Sequence, residues 1–371
     1  MRPFVLRAEN GSRVVISDGE ISQPGDRLGD TYDLGPGTFH AGLINAHDHL
    51  FRNHYPRLGA PPYRNAYEWG NDIHVRWAEE IRRMQALPRR EALLFGALKN
   101  LLGAVTTVVH HDPWDDALAA DFPVRVVRIR VAHSLGLEHD LPHAVAGDEH
   151  TRDRPLSMHL AEGVDAVAVA EVREAERRDL LGGDLVAVHL VGVDRDAIAR
   201  IRATGTAVAW CPTSNRFLFD RTAPGELFQP GIDVLLGTDA LLTADGTMLA
   251  ELHEARRLGH LDDQRLREAV GRVAARRLRV PEPALAPGYP ADVVFLRRPL
   301  FEARPADVAL VLVGGVPRLA DEQFAELFGH CGVPAEPLDA IGTRKLVAAP
   351  LGTVARRVFD LSPQCQRVLE W

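Results

Sequence analysis

The spacing of apolar positions changes character once near residue 42 and again near residue 285. The first 40 residues carry short alternating runs, PFVLRAE, SRVVISDGEI and DTYDLG, separated by Gly, Asp and Asn. That is the pattern of strands joined by tight turns. From residue 42 onward, apolar strand-like runs alternate with longer amphipathic stretches. GLINAH leads into a helical region over 74–102, followed by AVTTVVHH and VRVVRIRVAHS. LSMHLAEG precedes an Ala-rich helix over 164–180, and LVAVHLVG a helix over 194–204. TAVAWCPTSN and IDVLLGTDA come next, then helices over 246–259 and 261–278.

Strand and helix alternating about eight times predict parallel βα units, and a closed (β/α)8 barrel takes roughly 250 residues. An open doubly wound sheet is the alternative, but GPGTFHAG lacks the G-x-G-x-x-G spacing of its phosphate turn. LAPGYPADVVFLRRP (285–299) and VALVLVGGVPRL (308–319) read as strands again, after a Pro-rich linker, PEPALAPGYP. The expected fold class is therefore α/β, a distorted (β/α)8 TIM barrel over 42–284. A small β-sandwich module, built from 1–41 plus 285–319, accompanies it, and 320–371 read as a helical tail.

Polar residues fall at the predicted strand ends, where barrels place their chemistry. The first strand ends in His47 and His49, whose one-residue spacing puts both on one face. With 16 histidines in the chain, that pair alone decides little. The fifth strand brings His159, with Glu162 three residues on, the sixth brings His189, and the eighth brings Asp239. Each alone has an ordinary reading: a satisfied core or loop histidine, a helix cap or a first-turn charge. In a barrel all of them face one mouth. Three histidines and a carboxylate suit one divalent ion, zinc first and ferrous iron second. Dinuclear barrels bridge two ions with a carboxylated strand-end lysine. The chain's only lysines, Lys99 in a helical stretch and Lys345 near the end, cannot serve, so a single ion is expected.

Composition narrows the classes of partner. The 371 residues are 46% hydrophobic and 25% charged, as in an ordinary globular protein. A net charge of −8 argues against nucleic acid, and RRMQALPRR and RVAARRLR read as solvated helix faces. No apolar run is long enough to span a membrane, and the N-terminal residues lack a secretory signal. Cys211, Cys331 and Cys365 form no C-x-x-C pair, which suits a reducing cytoplasm. A small-molecule substrate is the expected partner, with a homodimer left open.

Seven segments carry a resemblance: GLINAHDHL, GAVTTVVHHD, MHLAEG, VAVHLVGVD, GTAVAWCPTSNRFL, VLLGTDA and LAPGYPADVVFL. In this order and spacing the chain resembles the metal-dependent amidohydrolase superfamily, in its triazine hydrolase and nucleobase or nucleoside deaminase (cytosine deaminase-like) branch. The resemblance covers about residues 35–315. It implies that His47, His49, His159 and Asp239 ligate the metal. Glu162 would move protons, His189 would polarise the attacking hydroxide, and Asp239 would accept its proton. The implied reaction is hydrolysis of a non-peptide C–N bond, foremost deamination of an aminated N-heterocycle or nucleoside. Ring opening of a cyclic amide, removal of a halide, or a metal-binding but inactive relative are the alternatives. The other zinc deaminase type is excluded, because Cys211-Pro212 has no second cysteine.

Substrate contacts are less constrained. Trp69 and Asn215, with Arg216, are candidates by position. His111 stands in an unusual His-His-Asp, and Thr243 is the hydroxyl offered after Asp239. Arg130 and His133, with Arg128, lie on the third predicted strand, where a guanidinium would match an acidic tail on an adenine-type ring.

Overall fold

A computed structural model of the chain describes residues 2–23, 29–119, 121–339 and 342–370. Eight strands run parallel in two sheets. The first holds β1 (Leu43–Asp48), β2 (Val105–His110) and β3 (Arg125–Val127). The second holds, in spatial order, β4 (Arg130–Ser134), β5 (Leu156–Leu160), β6 (Leu185–His189), β7 (Ala207–Trp210) and β8 (Val234–Leu236). The single run expected at VRVVRIRVAHS is thus divided, with residues 128–129 outside both ladders. Just past β8, the amides of Thr238 and Asp239 both donate to the carbonyl of His47, at 3.0 and 3.1 Å. The ends of β8 and β1 are therefore held together.

Strand side chains divide between two cores, as period-2 alternation requires. Leu156, Met158 and Leu160 belong to the large cluster shared with the helices. Ile44, Ala46, Val186, Val188, Ala207 and Ala209 form a smaller cluster with Leu235 and Cys211.

The helical region expected over 74–102 is three helices, Ala66–Arg76, Ala78–Met84 and Arg89–Leu102. Trp77 leaves helical geometry at φ −115°, ψ 21°, and Pro88 supplies the N-cap of the third. The helix expected over 261–278 likewise breaks at Gly271 into Asp263–Ala269 and Arg272–Leu278. Among the described residues no helix is long and apolar enough to cross a membrane.

The chain ends meet in antiparallel pairing. Thr38–Ala41 pairs with Val293–Leu296, which continues through Val308–Val313 and Val316–Asp321. A second sheet holds Phe4–Ala8, Arg13–Ser17, Glu20–Ser22 and Asp30–Gly35. Phe4, Leu6, Ile16 and Leu34 from it share one core with Phe295, Leu310 and Leu312.

The expectation of a helical tail over 320–371 is corrected. Lys345–Ala348 and Ala335–Leu338 extend the six-stranded sheet, so strand pairing reaches far beyond residue 319. Lys345 secures the added strand, donating to Asp321 Oδ1 at 2.5 Å and to the carbonyls of Ala306 and Val308 at 2.8 and 2.9 Å. The helices Leu351–Leu361 and Pro363–Leu369 follow. The first packs on Arg89–Leu102 through Phe359 and Phe95, whose ring centroids lie 5.9 Å apart. The second braces the loop after β1, where Cys365 Sγ reaches the carbonyls of His54 and Tyr55 at 3.4 and 3.3 Å.

Candidate metal centre

The ends of β1, β5, β6 and β8 converge on one point. His159 Nε2 lies 3.3 Å from His47 Nε2, and Asp239 Oδ1 lies 3.8 Å from both His47 Nε2 and His49 Nε2. Two overlapping donor groups result: His47, His49 and Asp239, and His47, His159 and His189. Zinc binds imidazole nitrogen at about 2.0–2.1 Å, so neighbouring ligand atoms between three and four ångströms apart suit a shared ion.

Three of these ends depart from ordinary strand geometry. Ala161, His189 and Asp239 have φ of 52°, 74° and 55°, a region side chains rarely adopt. Such positions cost about 1–3 kcal/mol each and persist only where surrounding structure enforces them. Part of that enforcement is a buried polar layer under the site. Lys99 Nζ donates to Asp48 Oδ2 at 3.1 Å, Thr238 Oγ1 at 2.6 Å and the Asp239 carbonyl at 2.8 Å. Asn53 and Asn100 donate to the Asp48 carboxylate at 2.9 and 2.7 Å. Removing one member of a buried ion pair typically costs about 3–5 kcal/mol, so this layer resists rearrangement.

The nitrogens facing away from the centre are held in turn. His49 Nδ1 pairs with Asp112 Oδ2 at 2.7 Å, His159 Nδ1 with the His133 carbonyl at 3.0 Å, and His189 Nδ1 with Asn215 Oδ1 at 2.8 Å. Each partner accepts a hydrogen, which leaves the Nε2 lone pair aimed inward. Burial holds the His47, His49 and His159 rings well below the usual imidazole range, hence neutral, and depresses His189 as well. Neutral imidazole is the ligating form. The buried His189 Nε2 has no hydrogen-bond partner among the described residues.

The two carboxyls differ. Burial, then the charges of Asp239 and Glu171, push the Glu162 carboxyl well above its ordinary range. Burial also acts to raise Asp239, but hydrogen bonds from Ser214 and the Ala240 amide oppose it and favour the ionised form. Asp239 Oδ2 accepts from Ser214 Oγ at 2.7 Å and from Thr243 Oγ1 at 3.0 Å. Glu162 Oε1 lies 3.5 Å from His189 Nε2. Surroundings that favour the neutral form of one carboxyl and the ionised form of its neighbour give the separation that acid–base chemistry uses.

A cavity of about 280 Å³ opens over the centre. His49, His159, Glu162 and Asp239 line it, and the structure places Trp69, His133 and Thr243 on its wall. Tyr55, Ile73, Ile81 and Leu242 add an apolar side. Five sequence candidates do not reach it. His111 is buried beside the His47 and His159 rings, its ring centroid 4.2 Å from that of His159 and its nitrogens held by Ser157 Oγ and the Ala132 carbonyl. Asn215 faces His189. Arg130 turns away to the carbonyls of Arg154 and Val145, both at 2.7 Å. Arg128 pairs with Asp148 and Arg216 with Glu254, both outside the pocket. An acidic tail thus loses the arginines that suggested it.

Sequence reasoning missed Asp112, Ser214 and the Lys99–Asp48 pair as supports. Asp112 does adjoin the noted His110-His111, but nothing local ties it to His49.

A further buried acid gives the fold a pH signature. Glu251 accepts from the Thr213 amide at 3.1 Å and is hydrogen-bonded to the Thr213 hydroxyl. Burial pushes its carboxyl from 4.5 up to about 8. A raised folded-state pKa gives stability that is complete below the unfolded value and lost as pH rises through the folded one. Between those limits the loss runs at about 1.4 kcal/mol per pH unit. Thermal unfolding from pH 5 to 9 is therefore expected to show a Tm decline that Glu251→Gln flattens. Equal slopes in both proteins would contradict the assignment.

No family model matches the chain. It is 26% identical over 312 residues to a 5-methylthioadenosine/S-adenosylhomocysteine deaminase of Haloarcula marismortui, covering 70% of each. Among solved structures it resembles a triazine hydrolase variant at TM-score 0.73 and 20% identity, over 97% of this chain and 99% of that one. An adenosine deaminase from Xanthomonas campestris with bound zinc aligns at TM-score 0.66 and 17% identity, over 89% of this chain and 97% of that one.

Proposed function

We propose that this chain is a member of the metal-dependent amidohydrolase superfamily, a reading supported by its similarity to a deaminase and to a triazine hydrolase, and that it is a mononuclear metal-dependent deaminase of an aminated N-heterocycle or nucleoside. The two parallel sheets are read as arcs of one distorted (β/α)8 barrel, a reading supported by the Thr238 and Asp239 amides on His47. The two end sheets are read as its β-sandwich module, on the strength of their common core.

His47, His49, His159 and Asp239 would hold one divalent ion, zinc before ferrous iron. The neutral, inward-aimed imidazoles and the ionised carboxylate fit such an ion. When bound, the ion supplies Lewis acidity that makes hydroxide available near neutral pH. Asp239, held ionised, accepts the proton as water adds to the amine-bearing sp² carbon. Protonated Glu162 donates to the adjacent ring nitrogen and then takes up the proton of the newly added hydroxyl as the carbonyl forms, while the proton held by Asp239 passes to the departing amine, so the C–N bond breaks and ammonia leaves. His189, its tautomer set by Asn215, directs Nε2 at the developing oxygen charge. Solvent is restricted by Trp69 and the apolar wall.

The observation that carries this reading is the convergence of His47, His49, His159 and Asp239 at one end of the parallel strands, with Glu162 Oε1 3.5 Å from His189 Nε2 beside the same cavity. Ammonia release from a panel of amino-purines, amino-pyrimidines and amino-triazines tests it. Turnover of at least one member is the expected result. Ring opening or halide release, with no ammonia from any member, would overturn deamination in favour of a sister reaction.

A further inference from the structure

One buried carboxylate outside the metal site joins three segments that shape it. Glu171 lies on the helix Ala166–Arg177 and is 8% exposed. Its Oε2 accepts from the Ala161 amide at 2.7 Å, and its Oε1 is hydrogen-bonded by the Tyr67 hydroxyl. That same hydroxyl accepts from the Gly136 amide at 3.1 Å.

Each partner stands beside a working residue. Ala161, at φ 52°, is the residue before Glu162. Tyr67 is on the helix that contributes Trp69 and Ile73 to the cavity, and Gly136 lies between its lining residues Ser134 and Leu137. Backbone bonds reinforce the docking: the Ala66 amide donates to the Glu162 carbonyl at 3.0 Å, and the Val164 amide to the Arg64 carbonyl at 2.7 Å. The approach is close enough to require glycine. A Cβ on Gly163 would meet the Arg64 carbonyl at 2.6 Å, and one on Gly136 the Tyr67 hydroxyl oxygen at 2.9 Å.

We propose that Glu171 is a positioning residue, holding the Glu162 turn and, through Tyr67, two walls of the cavity in one arrangement. The inference rests on the reading of Glu162 as proton donor. A carboxylate suits this post because it accepts two hydrogen bonds at once, one per oxygen, from two different elements. Without it the Ala161 amide and the Tyr67 hydroxyl would be buried without their acceptor. The strained turn before Glu162 would then relax.

The test compares Tyr67→Phe, Glu171→Ala and Glu171→Gln in the full-length, metal-loaded protein, by amide hydrogen exchange and by kinetics on a panel substrate. Tyr67→Phe is expected to speed exchange at Gly136 by about tenfold or more while sparing Ala161, because only Gly136 loses its acceptor. It should raise KM about tenfold with little change in kcat, since the wall rather than the acid is loosened. Glu171→Ala should release the Ala161 amide as well and lower kcat about 100-fold, the scale of a small misplacement of a catalytic group. Glu171→Gln retains a carbonyl acceptor for Ala161 and should recover most of that loss. Unchanged exchange at Gly136 in Tyr67→Phe would overturn the clamp, as would equal kcat in Glu171→Ala and wild type. Should Glu171→Ala not fold, the Tyr67→Phe exchange decides alone. If the wild type turns over no panel substrate, the deaminase reading fails while exchange still judges the clamp.

Discussion

A Glu162→Gln protein is expected to keep one metal ion per chain and to turn over about 10³–10⁴-fold more slowly than wild type. Gln matches Glu in shape but has no carboxyl proton to give. Burial, together with the charges of Asp239 and Glu171, pushes the Glu162 carboxyl well above its ordinary range and so favours its proton-bearing form. Metal binding should be indifferent to the change, because the convergent donors are His47, His49, His159, His189 and Asp239. Ammonia-release kinetics alongside elemental analysis of the purified protein measure both halves. Full activity in the variant would remove Glu162 from the reaction, whereas loss of metal would recast it as a structural support.

Stripping the ion should be as severe. Dialysis against a chelator is expected to bring turnover to background, a fall of about 10³-fold or more, since a metal contributes several kcal/mol to such transition states. Adding back zinc or ferrous iron separately should restore it and identify the better metal. Two substitutions grade the effect. His159→Ala removes a ring whose Nε2 faces His47 Nε2 at 3.3 Å and should leave the chain unable to retain stoichiometric metal. Asp112→Ala removes the acceptor of His49 Nδ1, together with a longer contact to Arg52 at 3.4 Å, and should weaken metal affinity by about 10–100-fold. Activity that survives exhaustive chelation would refute the proposed chemistry. Equal losses in the two variants would show that Asp112 does more than orient His49.

Legibility in the sequence followed the range of the forces involved. His47, His49, His159, His189 and Asp239 could be found because each ends an apolar strand run, and the parallel βα order brings strand ends together. Arg130 shows where that logic stops. It occupies β4, yet its guanidinium satisfies the carbonyls of Arg154 and Val145 rather than facing the cavity. Asn215 and His111 lie in the expected neighbourhood but in other positions: one hydrogen-bonds His189 Nδ1, the other packs against the His159 ring. The tail was misjudged because AEPL and KLVA are too short to declare themselves as strands until a sheet edge is there to receive them.

What the chain determined by itself was the set of chemical groups, their order and the alternation that carries them to one end of a parallel layer. Periodicity and strand-end position are local properties, and local properties survive in a linear text. Which polar side chain meets the substrate, and which instead steadies a ligand, was decided only by the tertiary structure. Beyond a strand end the direction of a side chain depends on left-handed turns such as those at Ala161, His189 and Asp239. Those turns are held by acceptors and donors distant in sequence, Lys99 under Asp239 and Glu171 behind Ala161. Long-range hydrogen bonds of that kind leave no periodic trace.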